Sequence, residues 1–315
     1  MTIHRARQQY EGWLRSTQDL SPHTVQAYVS DVGALERFLG SDFRTDRIDT
    51  AHIYGFVEDL THAGASSTTV RRRVCGVRSF CHWLAEVDAV PSNPTTGVVL
   101  RFARPRRLPR AVSRADLGRL ISHLSATADF GDPEQSPLVG TEGHVNATTL
   151  LAVLILVGTG MRVGELTSTR LDQLDLESRT IRVLGKGLRE RYVYISNDRL
   201  AQAVGSYAHD HLSRGQTDVP LLLNRRGQAL STSALRTRLA RAGERSGMSV
   251  PLTPHMLRHT AATQLIESGV DIRFVQRLLG HASLTTTEIY THVADRSLRE
   301  AVNEADVIGG YLTFT

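Results

Sequence analysis

A chain of 315 residues, 41% of them hydrophobic, is longer than one compact core usually needs and can bury enough surface for two domains. Its longest apolar run, residues 150–157 with their neighbours, falls short of the roughly 18 residues of a membrane span, and no charged-then-apolar leader opens it. Only Cys75 and Cys81 are present, which excludes a disulfide framework or a metal knuckle, and a cytoplasmic protein with no membrane partner is expected.

A net charge of +5 permits a polyanionic partner without identifying one. Of the 37 basic residues, Lys186 alone is lysine. GC-rich coding explains the arginine excess in general, and it makes the retained lysine stand out. An ammonium can be tuned to give up a proton, whereas a guanidinium holds its own.

Ser21-Pro22 opens a helix whose apolar positions Val25, Tyr28, Val32, Leu35 and Phe38 recur at three- and four-residue steps before Gly40. Residues 51–61 repeat the pattern, and a third helix runs from Ser67 through Val74, Val77, Phe80, Cys81 and Leu84, which together predict a small helical bundle. On the third helix Arg71, Arg72, Arg73 and Arg78 accompany Thr68 and Thr69, a face suited to phosphate; taken alone, it suits a solvated helix surface equally well. After Pro91 and Pro94 the pattern fades into residues 101–110, where Arg104, Arg106 and Arg107 lie among prolines that prevent a continuous helix. The expected division is residues 1–100, a basic linker at 101–112 able to track a phosphate backbone, and a second domain at 113–315.

In the second domain a helix begins after Ser113, and residues 126–146 read mostly as a loop. An apolar helix is predicted from Thr148 to Gly158 and a polar-faced one over 162–171, after a sharp turn at Gly158-Thr-Gly160. Residues 180–184 and 191–196 are β-branched and aromatic runs flanking Gly185-Lys186-Gly187, a hairpin with Lys186 at its tip. Helical patterns at 198–212, 231–246, 254–267, 272–279 and from Leu284 onward complete an α-rich domain.

Thr253-Pro254 pairs an N-cap with proline at the first helical position, so His255 and Arg258, at i and i+3, share a face in the opening turns. A zinc pair of His255 and His259 is disfavoured, because the glutamate of the zincin motif is missing and Arg258 would set a cation beside the metal. His281 falls in a tight turn after Gly280, and Tyr290 follows on the next helix.

Read together, Gly158-Thr-Gly-Met-Arg162-Val-Gly-Glu165-Leu, Gly185-Lys186-Gly187, His255-Met-Leu-Arg258-His259-Thr, Leu279-Gly-His281 and Tyr290-Thr-His-Val resemble the ordered signature of the tyrosine recombinase (integrase) family, closest to its Xer-type members. The resemblance is strong over residues 112–295 and weaker over the helical first half. It implies a mainly α fold, with a SAM-like core-binding domain and an α-rich catalytic domain bearing a small β-hairpin, closing as a C-shaped clamp on duplex DNA. By the same resemblance Arg162 and Arg258 hold the scissile phosphate, His255 and His281 assist as proton or hydrogen-bond partners, Lys186 protonates the departing 5′ oxygen, and Tyr290 attacks. Glu165 buttresses the site.

The chemistry suits these residue types. A tyrosine hydroxyl, with a reference pKa of about 10, needs an acceptor and a positive site to act as a nucleophile. Two guanidinium groups can bind the charge that builds on the non-bridging oxygens, so neither cofactor nor metal is expected. The implied partners are a recombination site in double-stranded DNA and a tetramer, homomeric or formed with a second recombinase, acting through a Holliday junction. The beginning of the chain at the core-binding domain suggests a Xer-like or simple-integrase design, while residues 307–315 and the loop before residue 146 depart from the Xer pattern and leave integration of a mobile element open. Residues 297–315 are expected to dock on a neighbouring subunit. A catalytically silent DNA-binding regulator and a topoisomerase-like relaxer are the competing readings, and the intact residue set argues against decay.

Overall fold

The computed structural model describes residues 1–18, 20–100, 111–129, 141–184, 190–213, 218–279 and 300–311, apart from the side chains of 210–213. The chain forms two compact units, Met1–Arg106 and Arg107–Thr315.

The first unit is helical: α1 (Ile3–Thr17), α2 (Pro22–Leu39), α3 (Thr50–His62) and α4 (Ser67–Glu86). Helix α2 starts as expected, with the Ser21 hydroxyl accepting from the Thr24 N–H and Pro22 in the first turn, and it stops at Gly40, whose φ of +92° suits glycine. Val25, Val32 and Leu35 are buried; Phe38 is partly exposed and leans on Phe56. Helix α1 was not anticipated. Its charged residues mask an apolar face of Ile3, Ala6, Tyr10 and Leu14, all buried, with Tyr10 packed among Trp13, Phe80 and Trp83.

Two of the arginines expected to face phosphate have partners inside this unit. Arg72 forks both terminal nitrogens onto Asp31 at 2.8 and 2.6 Å, and Asp31 is 1% exposed. Burial raises the Asp31 carboxyl above its usual range, against the opposing pull of Arg72. Gly76 makes room for the pair, since a Cβ there would stand 2.5 Å from Asp31 Oδ2. Arg78 donates to the Val98 carbonyl at 2.5 Å. Arg72→Ala should therefore strand a buried carboxylate and lower stability by roughly 1–3 kcal/mol, read as a lower thermal midpoint. Unchanged stability with weakened DNA binding would return Arg72 to a phosphate-contacting role.

The second unit is built on α6 (Glu142–Thr159), whose residues from Ala147 to its end are all buried. Against it pack α5 (Arg114–Ser125), α8 (Asp198–Ser213), α9 (Thr232–Arg245) and α10 (Pro254–Glu267). Helix α6 has the length and apolarity to cross a membrane, but 78% of it is buried inside the fold, as befits a core helix. It starts six residues earlier than the apolar pattern indicates. Thr141 caps it by accepting from the His144 N–H, and His144 is buried and stacked on Tyr207. Gly143 and Asn146 are poor helix formers, so tertiary packing decides this turn, and the expected loop is shorter by its last five residues.

The helix expected over 162–171 is likewise shorter. Helix α7 (Val163–Ser168) ends where the Ser168 and Thr169 hydroxyls both donate to the Glu165 carbonyl, and a 3-10 turn at Leu171–Gln173 follows. The small sheet is antiparallel, in the order β1 (Leu174–Asp175), β2 (Thr180–Leu184), β3 (Glu190–Tyr194). Helix α11 is Ile272–Leu278. Residues 300–311 pack on their own chain: Val302 and Ile308 join its core, Asn197 donates to Asp306 at 2.7 Å, and Gln264 to the Tyr311 hydroxyl at 3.1 Å.

Candidate active site

Helix α6 ends at Gly160, which takes the left-handed conformation (φ +66°) and reverses the chain. A Cβ there would meet Leu279 Cδ2 at 2.6 Å, so glycine is required both by conformation and by space. The reversal sets Arg162 at the N-cap of α7, where its backbone N–H donates to Glu165 Oε2 at 2.7 Å and its Nη1 to Oε1 at 2.9 Å. The Arg162 side chain is 48% exposed.

Arg258 comes from α10, which Thr253 caps by accepting from the Met256 N–H, with Pro254 in the first turn. It is 9% exposed. Its Nη1 donates to the Gly160 carbonyl at 2.6 Å and its Nη2 to the Leu279 carbonyl at 2.5 Å. One guanidinium thus joins the turn before Arg162, its own helix and the stretch leading to His281. Two of its five N–H groups are spent on these carbonyls, and no described residue accepts a hydrogen bond from the other three. His255, one turn earlier on α10, is exposed.

A second guanidinium reaches Glu165. Arg191 on β3 donates through Nη1 to Oε1 at 2.8 Å and through Nη2 to Oε2 at 3.0 Å. It pairs with Val183 in the β2–β3 ladder and sits two residues before the buried Val193 on the same strand face. It did not figure among the expected site residues. The signal that could have found it is an arginine on the inward register of a predicted strand.

The site is strongly positive. Burial, and then the repulsion of Arg162 and Arg191, push the Arg258 guanidinium down to about 10, with Glu165 opposing, so it remains a cation at neutral pH. Burial alone would raise the Glu165 carboxyl, but hydrogen bonds from Arg191 and from the Arg162 backbone, aided by the neighbouring charges, hold it below the usual carboxylate range. A carboxylate held in its charged form between two guanidiniums is suited to orienting them. The structure thus brings together Arg162, Glu165, Arg258 and the unexpected Arg191. Lys186, His281 and Tyr290 lie outside the described residues, as do Arg104, Arg106 and Arg107. In the first unit, Arg71 and Arg73 are half-buried.

Comparison with known proteins matches residues 140–297 to the phage integrase family and residues 8–87 to the phage integrase N-terminal SAM-like domain. The chain is 32% identical over 311 residues to the tyrosine recombinase XerC of Xylella fastidiosa (strain M23), covering 96% of this chain and 97% of that protein. It is 34% identical over 290 residues to XerC of Mycobacterium tuberculosis (strain ATCC 25177 / H37Ra), covering 90% and 92%. Among solved structures, a lambda integrase dimer bound to a COC′ core site shares the fold with a TM-score of 0.68 at 19% identity, over 95% of both chains. A lambda integrase tetramer bound to a Holliday junction does so with a TM-score of 0.66 at 18% identity, over 96% of this chain and 78% of that one.

Proposed function

Since the chain belongs to the phage integrase family and is a site-specific tyrosine recombinase, an enzyme that breaks and rejoins DNA, we propose that it exchanges strands between two duplex sites through a 3′-phosphotyrosyl bond to Tyr290. The observation that carries this reading is Arg258, a buried cation tied to Gly160 and Leu279 with three N–H groups that no described residue takes up. Among the described residues no carboxylate accepts a hydrogen bond from it, and a phosphodiester is an anion that suits it. Arg162 supplies the second guanidinium, and His255 and His281 are the proposed proton or hydrogen-bond partners. In the attack the Tyr290 hydroxyl gives its proton to a neighbouring histidine, its oxygen bonds to phosphorus, the bond to the 5′ oxygen breaks, and Lys186 gives that oxygen a proton. The 5′ hydroxyl of a partner strand reverses the step, because the energy of the phosphodiester is retained in the tyrosyl ester.

Four copies on two sites, of this chain alone or with a second recombinase, are the proposed assembly, acting in the cytoplasm. The full-length similarity to proteins named XerC supports a Xer-type role over integration of a mobile element. Intact Arg162, Lys186, His255, Arg258, His281 and Tyr290 leave no support for a silent DNA-binding regulator.

The test is covalent trapping on a suicide duplex nicked near the crossover. A protein–DNA adduct whose tryptic peptide carries the nucleotide on Tyr290 is expected; site binding with no adduct overturns the reading. A second measurement addresses Lys186. Lys186→Arg should keep DNA affinity and slow cleavage, and a 5′-bridging phosphorothioate, whose sulfur leaves without a proton, should restore most of the rate. If the sulfur substrate is cleaved as slowly as the oxygen one, Lys186 is not the acid.

A further inference from the structure

We propose that Arg191 is a positioning residue for strand cleavage: it neutralises Glu165, so that the Arg162 guanidinium stays available to the scissile phosphate. The inference rests on the reading above, that Arg162 binds that phosphate.

Glu165 is 9% exposed, and its two oxygens accept four hydrogen bonds, two from Arg191 and two from Arg162. The two guanidiniums share this carboxylate unequally. Arg191 is 20% exposed and spends both terminal nitrogens on Glu165 in a planar fork, whereas Arg162 is 48% exposed and offers one side-chain nitrogen. The Arg191 Nε is buried with no hydrogen-bond partner, so the side chain is committed to the pair at the cost of one unsatisfied donor.

A carboxylate 2.9 Å from Arg162 Nη1 competes with a phosphate for the same cation. With Arg191 in place the Glu165–Arg191 pair is close to neutral, and Glu165 orients Arg162 through the backbone and one side-chain bond without holding its charge. With Arg191 gone, a nearly buried full negative charge would keep hydrogen bonds, among the described residues, from Arg162 alone. The attraction would strengthen in that low-dielectric setting, drawing Arg162 off the phosphate. Hence Glu165 needs a second arginine, and it comes from the β2–β3 hairpin.

The experiment measures suicide-substrate cleavage by the full chain, with half-site binding and thermal midpoint recorded for every variant. Arg191→Met should slow cleavage on the order of 10- to 100-fold, as for loss of part of a transition-state donor set. Adding Glu165→Gln to Arg191→Met should restore much of that loss, because a neutral amide cannot compete with a phosphate. A simple staple between hairpin and helix makes the opposite forecast, since Gln cannot rebuild a bridge whose arginine is missing. A double variant as slow as Arg191→Met, or Arg191→Met at the wild-type rate, overturns the inference. Should Arg191→Met fail to fold, Arg191→Lys decides: it keeps the charge without the fork and should cleave within severalfold of wild type, and a folded Lys variant slowed 100-fold overturns the proposal. Arg162→Met, expected to lose cleavage with Glu165 or with Gln in its place, checks the underlying reading separately, so either can fail without the other.

Discussion

Tyr290→Phe is expected to abolish the covalent protein–DNA adduct altogether while leaving binding of the recombination site unchanged. The substitution removes one oxygen and little else. The ring keeps its packing volume, and no charge is altered, so a loss of trapping reports on the nucleophile itself. The phenol needs a strongly positive surrounding to attack near neutrality, and on the proposed reading Arg162, Arg191 and Arg258, set against Glu165, would supply it. Measured by denaturing gel after incubation with the nicked duplex, equal adduct from wild type and Tyr290→Phe would move the nucleophile elsewhere and dismantle the assignment.

Arg258→Ala should be nearly as severe, lowering the cleavage rate on the order of 100-fold or more, as expected for removal of one charged donor to a developing oxyanion. The structure gives it a second consequence. The carbonyls of Gly160 and Leu279 lose their shared donor, so the turn before Arg162 and the stretch leading to His281 are no longer tied to α10. Arg258→Lys should rescue little, because a single ammonium on a flexible stem cannot bridge two carbonyls and a phosphate in the planar array that a guanidinium offers. Single-turnover cleavage with saturating enzyme separates this loss from weakened binding. Arg258→Lys within tenfold of wild type would show that charge alone suffices. The pH dependence has a definite sign: burial brings Arg258 down to about 10, so its cation is intact at neutrality and is lost only as the pH rises through that value. Cleavage should not decline between pH 7 and pH 9 on account of this group.

Much of the fold is legible in local pattern. Ser21-Pro22 and Thr253-Pro254 announce their helices because an N-cap oxygen and a proline act within one turn, and the β2–β3 pair is visible in its β-branched and aromatic runs. Where the reading failed, distant packing outweighed local preference. Helix α1 hides its apolar face among charges, and the first turn of α6 is helical because Thr141 caps it and His144 finds Tyr207. The arginines of α4 show the same limit: nothing in their spacing records that Arg72 meets Asp31 and Arg78 the Val98 carbonyl.

The sequence by itself determined the class of protein and put forward its reacting groups, because five short motifs in a fixed order carry residue types that suit phosphoryl transfer to a tyrosine. Only the tertiary structure decided which guanidiniums are engaged, and with what. Gly160, Arg258 and Leu279 are joined across 98 and 21 residues of chain, and Arg191 reaches Glu165 across 26. Hydrogen bonds of that span depend on where the core places the backbone, which no local periodicity records.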